Sequence, residues 1–236
     1  MKIEEIIKKI LPESVNVTPQ GFVTEELDHD QLKGMRNILF DKIFEIQKAD
    51  ISQFEGYGEF NGETTLTYSD FKSLLVGTYD EDQEGYWYKW KDMYDTTALD
   101  ETFFSKYYDR MLELASYCQG QRYLVNNNTF FCYMITDGRG QVGFPDWSRV
   151  GIMDFYLDFA IMDLNKPYLE IPESLFAYME EKGYDTSHFE ERFLCMAYFK
   201  GLDTLRWHAS IDDLPSVQGI MTSMSQLEDR IRAIRG

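Results

Sequence analysis

Apolar residues recur at three- and four-residue spacing along most of the chain, and runs of β-forming residues are confined to its middle. Ile3, Ile6, Ile7, Ile10 and Leu11 predict a short amphipathic helix that Pro12 stops. Val15–Thr18 and Phe22–Thr24 flank Pro19-Gln20-Gly21, a hairpin pattern. Asp30 is placed to cap a helix running to about Gln47, with Leu32, Met35, Leu39, Ile43 and Ile46 on its apolar side. From Tyr68 to Tyr117 the pattern is helical and rich in aromatic residues. Arg122–Val125, Phe130–Ile135 and Val142–Phe144 then read as strands, the last two joined by the tight turn Asp137-Gly138-Arg139-Gly140. Helical spacing returns at Met153–Leu164 and at Phe189–His208, the latter with Asp185 or Ser187 as its cap. It returns again through Val217, Ile220, Met224, Leu227, Ile231 and Ile234. That last seam is under three heptads, so packing on the domain is expected, with a homo-oligomer left open. The fold class that follows is α+β, mainly α, with a small β region near residues 122–146.

Charge changes this picture more than composition does. With 236 residues, 44% hydrophobic and 16% aromatic, the chain can bury a full core. Its net charge of -18 and pI near 4.5 favour a basic protein surface or a cationic small molecule as partner, and disfavour direct contact with nucleic acid. Cys118, Cys132 and Cys195 lie far apart, with neither a C-x-x-C pair nor a nearby histidine. That spacing points away from zinc and from a disulfide framework, towards a reducing cytoplasm. The N-terminal stretch carries acids and has no apolar core of a signal peptide, and no run approaches a membrane span. His29, His188 and His208 share no short motif and read as surface residues.

Three other features invite chemistry. Gly56-Tyr57-Gly58, with Gly62, has one residue too many for a phosphate-binding G-x-G-x-x-G and does not follow a strand, so a structural turn is expected. Asp80, Glu81, Asp82 and Glu84 form an acidic cluster at an expected helix start, either complementing the helix dipole or docking a cation. Trp87 and Trp90, within Gly85-Tyr86-Trp87-Tyr88-Lys89-Trp90, are either a stacking platform or, by their helical spacing, core.

The stretch Arg122–Ala160 resembles the catalytic core of the aminoglycoside phosphotransferases, in their hygromycin kinase-like branch. The family reads roughly Y-L-V-H-G-D-F-x-x-x-x-N-V-L, a turn, I-D-W-S, then G-D-x-x-x-D-x-A. Tyr123-Leu124-Val125, Asp146-Trp147-Ser148, Asp154 and Asp158 match that pattern without a gap. Gly85–Trp90 resembles the family's G-W-W-x-K-W, and Phe199–Arg206 its h-I-G-L-D-x-L-R. The resemblance spans about residues 28–236 and implies the C-terminal lobe of a protein-kinase-like fold. It also implies a core of 28–60 and 119–170, a helical subdomain of 61–118 and 171–236, and a residual helix and hairpin at 1–27.

The resemblance also shows what has changed. The family's His-Gly-Asp is Asn126-Asn127-Asn128 here, so an amide at Asn128 stands where the catalytic base belongs. The metal-binding Asn five positions on is Tyr133, and only Asp146 keeps its metal-binding type. Asp154 and Asp158 would brace the catalytic loop. About 27 residues before the linking helix are too few for the nucleotide-binding lobe, and Lys8 and Lys9 lie on a helix rather than on its strand. The expectation is a catalytically inactive pseudokinase acting as an acidic binding or inhibitor protein, in its sharpest form a mimic of nucleic-acid phosphates. No cofactor is expected. The alternatives are an antibiotic phosphotransferase of reduced form, for which ATP and magnesium would be needed, and a protein that sequesters the antibiotic.

Overall fold

A computed structural model describes residues 5, 9–12, 19–60 and 66–235. Most of the first predicted helix, the 15–18 arm of the hairpin and Gly62 fall outside those residues. Strand β1 (Phe22–Val23) leads through a 3-10 turn into helix α1 (His29–Ile46). Strand β2 (Gly58–Glu59), helix α2 (Phe71–Thr78), the one-turn helix α3 (Met93–Thr96) and helix α4 (Glu101–Cys118) follow. The middle of the chain supplies β3 (Tyr123–Val125), β4 (Ile135–Thr136), β5 (Val142–Gly143) and β6 (Gly151–Met153). Helices α5 (Tyr156–Asn165), α6 (Ile171–Lys182), α7 (Phe189–Ser210) and α8 (Leu214–Arg235) complete the described part.

Helix α7 is the centre of the packing. Its buried residues lie on all sides, from Phe189 and Phe193 to Leu205 and Ala209, because α4, α5 and α8 pack around it. Each fully buried Leu or Phe contributes roughly 1.5–3 kcal/mol, so this helix anchors the domain whatever its local propensity. Val217, Ile220, Met224, Leu227 and Ile231 on α8 are buried within the same core, so its apolar seam packs on the domain.

Two small antiparallel sheets sit beside the helices. In one, β4 lies between β1 and β5; in the other, β6 lies between β2 and β3. Phe22 and Val23 pair with Thr136 and Ile135, a long-range contact that the local pattern did not predict. Gly56 and Gly58 have positive φ (87° and 118°) and turn the chain into β2, the structural role expected of Gly56-Tyr57-Gly58.

Several boundaries differ from the sequence pattern, each for a local reason. Asp28, not Asp30, caps α1, because Gln31 three residues on completes a capping box with it. The 68–117 stretch is broken: residues 81–92 form turns and a 3-10 segment, so no helix starts at the acidic cluster. Phe131–Tyr133 is a 3-10 turn, since Thr24 takes the carbonyls of Phe131 and Met134 and holds that segment off the sheet. Met153 ends β6, and α5 begins only at Tyr156, whose N–H is held by Asp154. His188, not Asp185 or Ser187, precedes α7; the Asp185 carboxylate instead accepts the Ser187 N–H in a local turn.

The central strand β6 passes so close to β2 that a Cβ at Gly151 would collide with the Gly58 carbonyl. Gly151→Ala is therefore expected to destabilise the chain by about 1–3 kcal/mol. Gly34→Ala, in the interior of α1 with nothing near its Cβ position, should be neutral or stabilise by about 0.5–1 kcal/mol. Urea denaturation midpoints of the two variants check this contrast.

Candidate functional site

Strand β3 delivers the chain to three consecutive asparagines at the centre of the molecule, all buried. Asn127 adopts a left-handed conformation (φ 56°), which Asn tolerates better than most residues that carry a Cβ. The bend is held from behind by Asp158 on α5. Its carboxylate accepts the backbone N–H groups of Asn126 (3.0 Å) and Asn127 (2.8 Å), and its carbonyl accepts the Thr129 hydroxyl (2.6 Å). Burial raises the Asp158 carboxyl to about 6, against the two N–H groups and Lys200, which favour its ionised form.

The front of the loop is closed by Asp146. The Asn128 side-chain amide donates to one Asp146 carboxylate oxygen (2.7 Å), and the Ser148 N–H donates to the other (2.9 Å). The Asn126 side chain donates to the Asp146 carbonyl (2.7 Å), and its own oxygen accepts the Asn128 N–H (3.1 Å). Since an ionised carboxylate only accepts, the nitrogen end of the Asn128 amide must face it. Tyr133 lies outside this knot. It is 48% exposed and lines a shallow depression with Cys132, Pro145 and Asp146.

The Asn127 side chain points the other way, into a charged network between the loop and α7. Its nitrogen donates to Glu59 (2.8 Å) and its oxygen accepts from Lys200 Nζ (3.2 Å). Glu59 also accepts from Arg149 (2.7 and 3.1 Å), and Asp203 meets Arg149, Lys200 and Arg206 at 3.5, 3.7 and 3.2 Å. Burial lowers the Lys200 ammonium to about 8, assisted by Arg149 and opposed by Asp203, Glu59 and Asp158. Burial pushes Asp203 up, but Lys200, Arg149 and Arg206 outweigh it and hold the carboxyl below the usual range. Sequence reasoning passed over this network. The available signal was Lys200, Asp203 and Arg206 at i, i+3 and i+6 on one face of a helix, directly after the apolar run Phe193–Phe199.

No family model matches the chain, and no curated protein matches it. Among solved structures it is similar to aminoglycoside phosphotransferase APH(4)-Ia, at TM-score 0.71 and 19% identity, over 89% of this chain and 69% of that one. A thermostable mutant of APH(4)-Ia in a ternary complex with AMP-PNP and hygromycin B gives TM-score 0.70 and 20% identity over the same shares. The apo form of such a mutant gives 0.70 and 20% over 92% and 71%. The chain has the kinase-like fold of the aminoglycoside phosphotransferases.

Within that phosphotransferase-like fold, the residues present fit a magnesium ion poorly. Magnesium takes oxygen ligands in near-octahedral geometry. Here Asp146 is the single carboxylate of the set, since positions 128 and 133 carry a neutral amide, its nitrogen turned to Asp146, and an exposed phenol. Among the described residues, no group of three or more His, Cys, Asp or Glu is placed to hold a metal. Nor is any described helix long and apolar enough to cross a membrane.

The remaining sequence candidates are dispersed. Asp154 pairs with Arg192 (2.7 and 3.1 Å) at the start of α7 rather than with the asparagine loop. Asp80, Asp82 and Glu84 are exposed, while Glu81 is half-buried beside Lys91 (3.4 Å). Trp90 is buried and Trp87 half-buried, both stacked on the Arg206 guanidinium, so the exposed aromatics of that segment are Tyr86 and Tyr88.

Asp158 makes the loop sensitive to pH. A carboxyl raised to about 6 in the folded chain, against about 3.9 unfolded, stabilises most below pH 4 and loses that contribution as pH rises through 6. Asp158→Asn removes the titration and sets an amide N–H against the loop's own N–H groups. The gap in unfolding free energy between the natural chain and the variant should narrow by about 1–2 kcal/mol from pH 5 to pH 8. A constant or widening gap would mean that Asp158 stays ionised in the folded chain.

Proposed function

We propose that the chain is a kinase-fold binding protein that does not transfer phosphoryl groups. The observation that carries the reading is the hydrogen bond from Asn128 to Asp146. In kinase-like catalysts the corresponding loop position bears a carboxylate that takes the substrate hydroxyl proton, and nearby groups hold magnesium against the phosphates. An amide cannot take a proton near neutral pH. Its N–H also donates to Asp146, the single carboxylate at the positions where the family holds its metal. The same bond gives Asn128 a structural use, so an amide at that position serves the fold.

The net charge of -18 supports a basic partner, because such a field raises the association rate of cationic surfaces and repels nucleic acid. The exposed Asp80, Asp82 and Glu84 belong to that field. In the stricter form of the reading, the carboxylates imitate phosphate spacing and the partner is a nucleic-acid-binding protein. The competing reading, an antibiotic phosphotransferase of reduced form, comes from the fold neighbour, an aminoglycoside phosphotransferase mutant solved with AMP-PNP and hygromycin B.

Two measurements separate the readings. With ATP, magnesium and hygromycin B, the chain should release no ADP above the protein-free blank. ADP release that Asp146→Ala abolishes would establish catalysis and end the proposal. A partner retained from cell extract should be lost as NaCl rises from about 0.05 to about 0.5 M, since screening shortens the reach of surface charge. Retention unaffected by salt would contradict a charge-selected partner.

A further inference from the structure

A cavity of about 390 Å³ lies between the asparagine loop, the segment around α2, and α7. Although the chain is strongly acidic, three cations line this space, Arg149, Lys200 and Arg206, against two carboxylates, Glu59 and Asp203. The Arg206 guanidinium is fully buried, lying 4.4–5.0 Å from the ring centres of Tyr79, Trp87 and Trp90. One of its nitrogens donates to Asp203 (3.2 Å), while Nε and Nη1 are buried without a hydrogen-bond partner. A guanidinium stays charged in proteins and buried donors are nearly always paired, so two idle nitrogens with three N–H donors on one buried arginine call for an acceptor. Lys200 Nζ, by contrast, is partly satisfied. It has three protons, and its polar neighbours are the Asn127 oxygen at 3.2 Å and Asp203 at 3.7 Å.

We infer that this cavity binds a small organic anion whose carboxylate or phosphate head is taken by Arg206 and Lys200. The planar guanidinium presents its donors as a fork, which suits a two-oxygen head, and Lys200 adds a point charge beside it. The rest of the lining mixes rings and apolar groups, Phe60, Trp87 and Phe199 among them, with the polar Thr67, Thr78, Gln83 and Asn127, so the ligand's body meets both rings and hydrogen-bonding groups. A basic partner would meet the acidic exterior; the anion would sit inside. The inference goes beyond the noncatalytic reading and does not depend on it, since neither Asp146 nor Asn128 lines the cavity. Burial also lowers the Lys200 ammonium to about 8, so a bound anion should raise its titration point.

Calorimetric titration of the full chain with inorganic phosphate, with citrate and with hygromycin B tests the inference. Phosphate or citrate should bind with a Kd of about 1 mM or tighter, and the better of the two identifies the head group. Hygromycin B, a cation, should not displace it. Arg206→Lys keeps the charge and loses the fork, and should weaken binding about tenfold; Lys200→Met should do the same or more. Absence of heat with both anions up to about 10 mM, equal affinity in both variants, or displacement by hygromycin B would each overturn the inference. If the variants do not fold, NMR titration of Lys200 in the natural chain decides. A rise in its pKa with the anion supports the site, and an unchanged pKa rejects it.

Discussion

A single left-handed asparagine, braced by a buried carboxylate, organises the centre of this molecule. Asp158 holds the backbone of Asn126 and Asn127, and so fixes which way each side chain of the triplet faces. Asn126 and Asn128 turn to Asp146 on one side; Asn127 turns to Glu59 and Lys200 on the other. A residue with no polar side chain at 127 would leave Lys200 short of an acceptor. A residue without a donor at 128 would leave the Asp146 carboxylate uncompensated. The loop is thus a hinge pin between the β region and α7, with its amides used as paired donors and acceptors.

That arrangement separates two electrostatic regimes. The exterior carries the acidic excess, screened by salt and suited to steering. The cavity lining between the loop and α7 carries three cations against two carboxylates, where water and salt screen much less. Buried charges persist only when paired and hydrogen-bonded, and this cluster is nearly so, apart from the idle nitrogens of Arg206. The phosphotransferase-like fold provides the frame, and the side chains set in it determine what the frame can hold.

Much of the frame was legible from residue patterns. Helices α1, α4 and α8 follow from apolar spacing because each buries one face on the core, and α7 from its run of apolar residues, which is buried on all sides. Tyr123–Asp158 was legible through its resemblance to a family motif. The short elements were harder to read. Phe131–Tyr133 looks like a strand by composition, yet Thr24, over a hundred residues away, dictates its turn. Phe22–Val23 likewise finds its partner at Ile135–Thr136, a pairing no local pattern encodes. At the site, an amide at position 128, where the resembling family carries a carboxylate, was visible in the sequence. Its use as a donor to Asp146 was not, because a hydrogen-bond partner is a property of three dimensions. Lys200, Asp203 and Arg206 were hidden for the opposite reason: charged residues in a helix ordinarily face water, and here they face a cavity.

The account stands on position 128 requiring a donor towards Asp146. Unfolding free energy of Asn128→Asp, measured from pH 4 to pH 8, tests that most directly. Two carboxylates at this distance must share a proton, which raises a folded-state pKa, so the variant should match the natural chain best at low pH. It should fall about 2 kcal/mol behind as pH rises to 8 and the shared proton is lost. A variant as stable as the natural chain at pH 8 would contradict the account, because it would show that a carboxylate is at home there.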